Sequence, residues 1–352
     1  MDLAFAYYDI AVGGDFIGRK KETDTFIKTI IDEQKGISLY GAPKSGKNSF
    51  IKNGLSRLKA KKYNFTLCEI DLSTVLSYQG FVQIFKRKMH TLAKDVNKNS
   101  ILPFDIQTEG LDEAAILNLP EIIAEEGSTT VIIYIKEFQN VYVRENEDFC
   151  LEDIERIWSK HHHVRYILTG SFVNPMKYIF EERKLFYYMT HNITLSRISE
   201  KEFCNYVIQT FLDVGRVIEE EEAVTIYNIT DGNLWYTKLI CATCLSLPVG
   251  YINASVVTQA KEMLISTCSP RFTQTMADLT PNQINFLRAV LDHVPRFSSS
   301  EILEKYKLNS SANVFRLKEA LKKKEVITFD SDDTAYILDP LFNYWLKNYY
   351  FK

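Results

Sequence analysis

The stretch with the clearest chemistry runs from Gly36 to Ile51, GISLYGAPKSGKNSFI. Ile37 to Tyr40 reads as a short buried strand. It breaks into Gly41-Ala42-Pro43-Lys44-Ser45-Gly46-Lys47, the G-x-x-x-x-G-K spacing of a phosphate-binding loop that opens a helix. Gly41 and Gly46 allow a turn tight enough to aim successive N–H groups inward, and the positive end of the following helix adds to the attraction for an anion. Lys47 supplies a point charge for the β- and γ-phosphates. The residue after that lysine should be Ser or Thr, whose hydroxyl ligates a bridging magnesium ion. Here it is Asn48, with Ser49 one step later. An amide oxygen can ligate a hard cation, but the longer side chain displaces either the ion or the loop. The pattern favours nucleotide binding over nucleotide turnover.

A second run bears on the same ion. Thr129 to Ile135 (TTVIIYI) is continuously apolar, as a central parallel strand covered on both faces must be. In phosphate-loop ATPases such a strand ends in an Asp that holds magnesium through water and a Glu that polarises the attacking water. This one ends Lys136-Glu137-Phe138-Gln139. Two like charges about 4 Å apart repel by about 4 kcal/mol even at an effective dielectric of 20, enough to weaken a cation site. Asn48 and Lys136 would face one ion. Either Lys136 takes over part of its charge and lets nucleotide bind without magnesium, or the pocket is empty and Lys136 simply pairs with Glu137 or Asp71.

The elements that must position these residues follow from periodicity. Phe26, Ile27, Ile30 and Ile31 mark a helix before the loop. Tyr63 to Leu72 reads as a second strand ending near Asp71, Val164 to Leu168 as a fourth with the exit Thr169-Gly170-Ser171, and His191 to Ile198 as a fifth. Helices are expected over Phe81 to Val96, Leu111 to Glu126 and Leu151 to Trp158, with a loop around Pro103 and Gly110. Strands alternating with helices make an α/β fold, a parallel sheet flanked by helices, with the phosphate site at its carboxyl edge. From Glu200 to about Ser269 only helical periodicity appears, opened by a capping-box pattern at Ser199-Glu200-Lys201-Glu202. Thr280-Pro281, Ser298-Ser299-Ser300-Glu301 and Ser310 then start three helices, and Glu325 to Leu338 reads as a hairpin around Ser331-Asp332-Asp333. Three helices and a hairpin make a winged helix-turn-helix. Arg316, Lys318, Lys322, Lys323 and Lys324 on its third helix suit DNA phosphates, while Glu319, Glu325, Asp332 and Asp333 suit a protein partner.

Composition narrows the classes. The chain has 352 residues, suited to two or three domains, and a formal net charge of -3 that argues against wholesale coating of nucleic acid. No apolar run approaches the roughly 20 residues of a membrane span, and the start lacks a basic leader, so a cytoplasmic location is expected. Cys68, Cys150, Cys204 and Cys268 sit among apolar neighbours like core thiols, and Cys241-x-x-Cys244 lacks the second pair of a zinc site. His161-His162-His163 diverge on any backbone, so they are read as a solvated turn and not as one metal site.

Several phrases in order resemble the AAA+/STAND-like, archaeal-type ATPase family. They are Phe16-Ile17-Gly18-Arg19 about twenty residues before the loop, the phosphate loop itself, Glu137 with Phe138-Gln139, the Thr-Gly-Ser exit, Thr230-Asp231-Gly232-Asn233-Leu234, and Asp339-Pro340-Leu341-Phe342 with Trp345-Leu346. The resemblance implies a phosphate-loop core over residues 1–199, a helical lid over 200–272 and a winged helix over 273–352. It also implies ATP or ADP as ligand, with Phe16, Ile17, Gly18 and Arg19 near the adenine. Gly41 to Ser49 and Lys136 would lie around the phosphates, with Asn48 a weak magnesium ligand. Glu137 would activate water, and Thr169 or Ser171 would sense the γ-phosphate. The departures at Asn48, Lys136 and Leu234, where the lid phrase has proline, make weak or lost hydrolysis the expectation and magnesium doubtful. The implied activity is a nucleotide-controlled switch, often within an assembly. A DNA-binding regulator and a nucleotide-free adaptor are the alternatives.

Overall fold

The computed structural model describes residues 4, 5, 10, 11, 13–75, 77–98, 109–142 and 151–352. Cys150 and the loop expected around Pro103 lie outside them. The chain divides into two compact units, one of Arg19–Pro43 with Lys47–Leu195, the other of Met1–Gly18, Lys44–Gly46 and Ser196–Lys352.

In chain order the sheet unit holds α1 (Lys20–Ile31), β1 (Gly36–Tyr40), α2 (Lys47–Ala60), β2 (Phe65–Asp71), α3 (Tyr78–Asn97), α4 (Glu113–Glu126), β3 (Thr130–Lys136), α5 (Gln139–Tyr142), α6 (Leu151–Trp158), β4 (Val164–Gly170), α7 (Val173–Lys177) and β5 (Thr190–Asn192). The strands form one parallel sheet in the order β2-β3-β4-β1-β5. Ile132 to Ile135 and Ile167 to Thr169 are buried, as central strands with both faces covered require. One face packs the aromatic set Phe81, Phe85, Phe138, Trp158, Tyr166 and Phe186, with Trp158 and Tyr166 stacked 4.1 Å apart. Elsewhere in the unit α1 and α2 pack closely: a Cβ on Gly54 would stand 2.7 Å from the Phe26 ring, so glycine is needed there.

The fifth strand is shorter than its apolar run suggested, Thr190–Asn192 and not His191 to Ile198. It lies at the sheet edge and pairs with β1 alone, through Gly36 to Ser38. The pairing stops at Asn192 opposite Ser38, although β1 itself runs on to Tyr40. The histidine turn also differs in part. His161 is half-buried, with its ring bonded to Tyr166 Oη (2.9 Å) and Asn118 Oδ1 (3.1 Å), whereas His162 and His163 are exposed. Burial pushes the His161 pKa down to about 4.

The other unit continues with α8 (Glu200–Asp213), β6 (Val217–Ile218), α9 (Glu220–Thr230), α10 (Leu234–Ser246), β7 (Tyr251–Ile252), α11 (Ala254–Ala277), α12 (Pro281–Leu291), α13 (Ser300–Lys305), α14 (Ser311–Lys323), β8 (Ile327–Phe329), β9 (Ala335–Ile337) and α15 (Pro340–Trp345). Strands β6 and β7 form a small parallel pair that helical periodicity did not reveal, because two residues leave no readable period. Helix α11 runs without interruption through Pro270 and residue 272. Thr280 and Gln283 form a full capping box on α12, Ser310 Oγ accepts from Asn313 N on α14, and β8 pairs antiparallel with β9.

The two phrases singled out in this unit have local physical causes. Asp231 ends α9 at φ 53°, and Asn233 caps α10 by accepting from the N–H groups of Trp235 (3.0 Å) and Tyr236 (3.2 Å). Leu234 is therefore the first helical residue, where proline is favoured but not required. Asp339 similarly accepts from Leu341 and Phe342 N–H, with Pro340 as first helical residue. Its carboxylate also takes Tyr236 Oη–H (2.9 Å) and Arg271 Nη2–H (2.7 Å). Phe342 and Trp345 then pack on Phe272. Cys68, Cys204, Cys241 and Cys244 are buried free thiols, and Cys268 is partly buried.

Candidate phosphate site at the carboxyl edge of the sheet

The loop after β1 is tied at its base to the neighbouring strand, with Gly41 N–H donating to Gly170 O at 3.3 Å. Of the two loop glycines, Gly46 takes the left-handed backbone, φ 88°; Lys44 shares it at φ 66°, whereas Gly41 does not. No atom lies within 4 Å of a Cβ built on Gly46, so conformation and not crowding calls for glycine there. Lys47 opens α2 and is buried, its Nζ donating to Gly41 O (2.7 Å) and Ala42 O (3.0 Å) of its own loop. Burial lowers its pKa to about 8, and the Glu137 carboxylate opposes that shift. The result is a loop with a concentrated, easily discharged positive centre, suited to an anion of two or more charges.

Beside it the ends of β3 and β4 bring other predicted residues together. Glu137 sits at φ 56° just past β3 and accepts from Ser171 N–H (3.2 Å), Ser171 Oγ–H (2.8 Å) and Gln139 Nε2–H (2.8 Å). Phe138 N–H donates to Thr169 O at 2.9 Å and locks the two strand exits together. Thr169 itself is turned into the sheet, where its buried hydroxyl donates to Ile135 O at 3.2 Å. Ser171, and not Thr169, keeps company with Glu137.

Magnesium usually accompanies nucleotide on such a loop, and here the donors do not fit it. Asn48 Oδ1, the oxygen that should face the ion, accepts from Tyr134 Oη–H at 2.9 Å. Tyr134 is fully buried on β3, and burial holds its phenol protonated by raising its pKa. Lys136, in the place of the metal-holding acid, pairs with Glu69 at 3.3 Å, and neither Glu137 nor Asp71 is its ion-pair partner among the described residues. Glu69 also binds Lys52 of α2. Glu69 is thus shared by two ammonium groups, and Lys136 places one of them where a dication needs anionic oxygen. Sequence reasoning named Asn48 and Lys136 but missed Tyr134, Glu69 and Lys52. The visible signal was alternation along the strands: Tyr134 and Lys136 share a face of β3, and Glu69 lies opposite Tyr134 on β2.

The remaining predicted residues divide between the units. Arg19 caps α1 in the sheet unit at φ 60°, and burial lowers its pKa. Ile17 packs on the core of the other unit, and Gly18, at φ 64°, borders an open cleft there with Glu202, Asn205 and Tyr206. Lys44 counts with that unit too, its ammonium 3.2 Å from the centre of the Trp235 ring. Phe16, Pro43, Ala42, Ser45 and Ser49 are partly or fully exposed.

A family described as a probable winged helix domain matches residues 270–348. No curated protein matches the chain. Among solved structures, a Walker-type ATPase of Pyrococcus abyssi gives a TM-score of 0.72 at 15% identity, covering 97% of this chain and 100% of that one. The ORC2 protein of Aeropyrum pernix, in ADPNP–ADP complexes, gives 0.64 at 13% identity, covering 97% and 94%. Its ADP form gives 0.61 at 12%, covering 96% and 93%. The chain therefore has the fold of these archaeal proteins, a parallel sheet between helices with the phosphate loop at its carboxyl edge, and its residues 270–348 match a winged helix domain.

Proposed function

We propose that the chain is an ATP-binding protein acting as a nucleotide-dependent regulatory switch in which phosphate binding is kept and hydrolysis is weak or lost. The observation that carries this reading is the pairing of an intact loop, with Gly46 left-handed and Lys47 at its centre, with metal positions filled by other bonds, Asn48 to Tyr134 and Lys136 to Glu69. The fold likeness to a protein in complexes with ADPNP and ADP supports it. In this reading the loop N–H groups from Gly41 to Ser49 and the Lys47 ammonium hold the phosphates, and the Lys52–Glu69–Lys136 cluster supplies the positive charge a metal would bring. Phe16 to Arg19 contribute to the base site. Glu137, fixed by Ser171 and Gln139, orients any attacking water, and Ser171 or Thr169 reports the γ-phosphate. Residues 1–199, 200–272 and 273–352 act as core, lid and winged helix.

Thermal unfolding with ATP, ADP and GTP, each with magnesium or chelator, tests it. A ligand at 100 times its Kd adds about 2.7 kcal/mol to the stability of the folded state. An upward shift that survives chelation supports the proposal. Strict magnesium dependence overturns its metal-free part, and no shift in large ligand excess overturns nucleotide binding.

The winged helix match favours a second role, contact with DNA or protein. On α14 and at its C-cap the ion pairs and bonds of Lys318 to Asp333, Lys322 to Glu319 and Lys324 to Asp278 O engage much of the basic set, while Phe315 is 67% exposed beside exposed Arg316. If DNA is the partner, Arg316→Ala with Lys323→Ala lowers the salt slope of duplex binding by about 2. No binding at low salt leaves protein as the partner.

A further inference from the structure

The opposite, amino edge of the sheet, about 20 Å along the strands from the phosphate loop, carries a second chemically capable cluster. Glu121 and Glu125 stand one turn apart on α4, so their carboxylates share a helix face. The turn before β4 sets His163 beside them. His163 Nδ1 is 2.9 Å from Glu121 Oε1 and 4.0 Å from Glu125 Oε1. One ligand atom from each of the three lies within 4.8 Å of the others. Ligand atoms about 2.1 Å from a tetrahedral zinc ion stand about 3.4 Å apart, so only small side-chain shifts separate this arrangement from coordination.

Glu121 is prepared for such a role. It is 7% exposed, and its orientation is fixed by backbone donors: Oε1 accepts from His162 N–H at 2.7 Å, and Oε2 from His163 N–H at 3.0 Å. Glu125 and His163 are exposed, their side chains at 58% and 54%, which leaves room for water to complete a coordination sphere. His161 cannot join, because both its ring nitrogens are engaged by Tyr166 and Asn118.

We propose that Glu121, Glu125 and His163 form a binding site for a zinc-class divalent cation that links the last turns of α4 to the start of β4. Two carboxylates balance the dication, and the imidazole nitrogen selects zinc over magnesium or calcium, which prefer oxygen. In the metal-bound form the cation replaces the proton shared between His163 Nδ1 and Glu121 Oε1. The site stands independently of the nucleotide reading.

The test is calorimetric titration of metal-stripped full-length chain with zinc chloride, repeated with magnesium and calcium chloride, together with thermal unfolding in excess zinc. The expected result is one zinc per chain, a zinc-induced rise in Tm, and at least tenfold weaker magnesium and calcium binding. His163→Ala and Glu125→Gln, both at exposed positions, should each weaken zinc at least tenfold and abolish the Tm rise, whereas His162→Ala should change neither. If one variant fails to fold, the other decides. Absence of zinc binding, unchanged binding in His163→Ala or in Glu125→Gln, or calcium binding as tight as zinc would overturn the proposal.

Discussion

Raising the pH from 7 to 9 should weaken nucleotide binding by discharging one buried group. Lys47 is 7% exposed, and its pKa is lowered to about 8, first by desolvation, with Glu137 pulling the other way. Bound phosphate restores the ammonium, so the complex keeps the proton that the free protein has partly lost. One-proton linkage then makes affinity at pH 9 about tenfold lower than at pH 7, and about twofold lower at pH 8. At pH 8 roughly half a proton is taken up per nucleotide bound. Titration calorimetry in two buffers of different ionisation enthalpy, with chelator present, reads that uptake directly. Flat affinity from pH 7 to 9 with no proton uptake would refute the argument that a desolvated Lys47 carries the phosphate charge. The sign for the free protein is the reverse. The folded pKa lies below the unfolded 10.5, so Lys47 costs stability below pH 8, and about 3 kcal/mol of that cost is relieved as pH rises from 8 through 10.5.

Other outcomes follow from single contacts. Tyr134→Phe removes the hydroxyl bonded to Asn48 and should lower stability by about 1 kcal/mol in urea unfolding; an unchanged midpoint would mean the bond contributes nothing. Gly54→Ala should destabilise by about 1–2 kcal/mol despite the better helix propensity of alanine, because its Cβ meets the Phe26 ring. Added Phe26→Leu should recover part of that loss, and a stabilised single variant would contradict the close α1–α2 contact. Any phosphate release from ATP should vanish in Glu137→Gln, whose amide no longer accepts all three donors. A rate equal to that of the unaltered chain would place the hydrolysis elsewhere.

Much of this protein is determined locally and can be read from the chain. The phosphate loop is one contiguous phrase in which glycine placement and a lysine set the backbone and the charge. The caps at Asn233, Ser310 and Asp339 depend on residues two or three positions away. The central strands are legible because burial on both faces leaves continuous apolar runs. Partner choice across the sheet is not local. Lys136 could have met Glu137, its neighbour in sequence, or Asp71, its register partner on β2; its ammonium instead reaches diagonally to Glu69, two residues earlier on the same face of β2, while Tyr134 stands against Asn48. The same holds where β5 ends, since its pairing with β1 stops at Asn192 opposite Ser38 although the apolar run continues. Of three adjacent histidines, only tertiary packing turned one ring inward to Asn118 and another toward Glu121, about forty positions earlier. Short-range geometry depends on neighbours in sequence, whereas charge compensation depends on neighbours in space, which only the folded sheet decides.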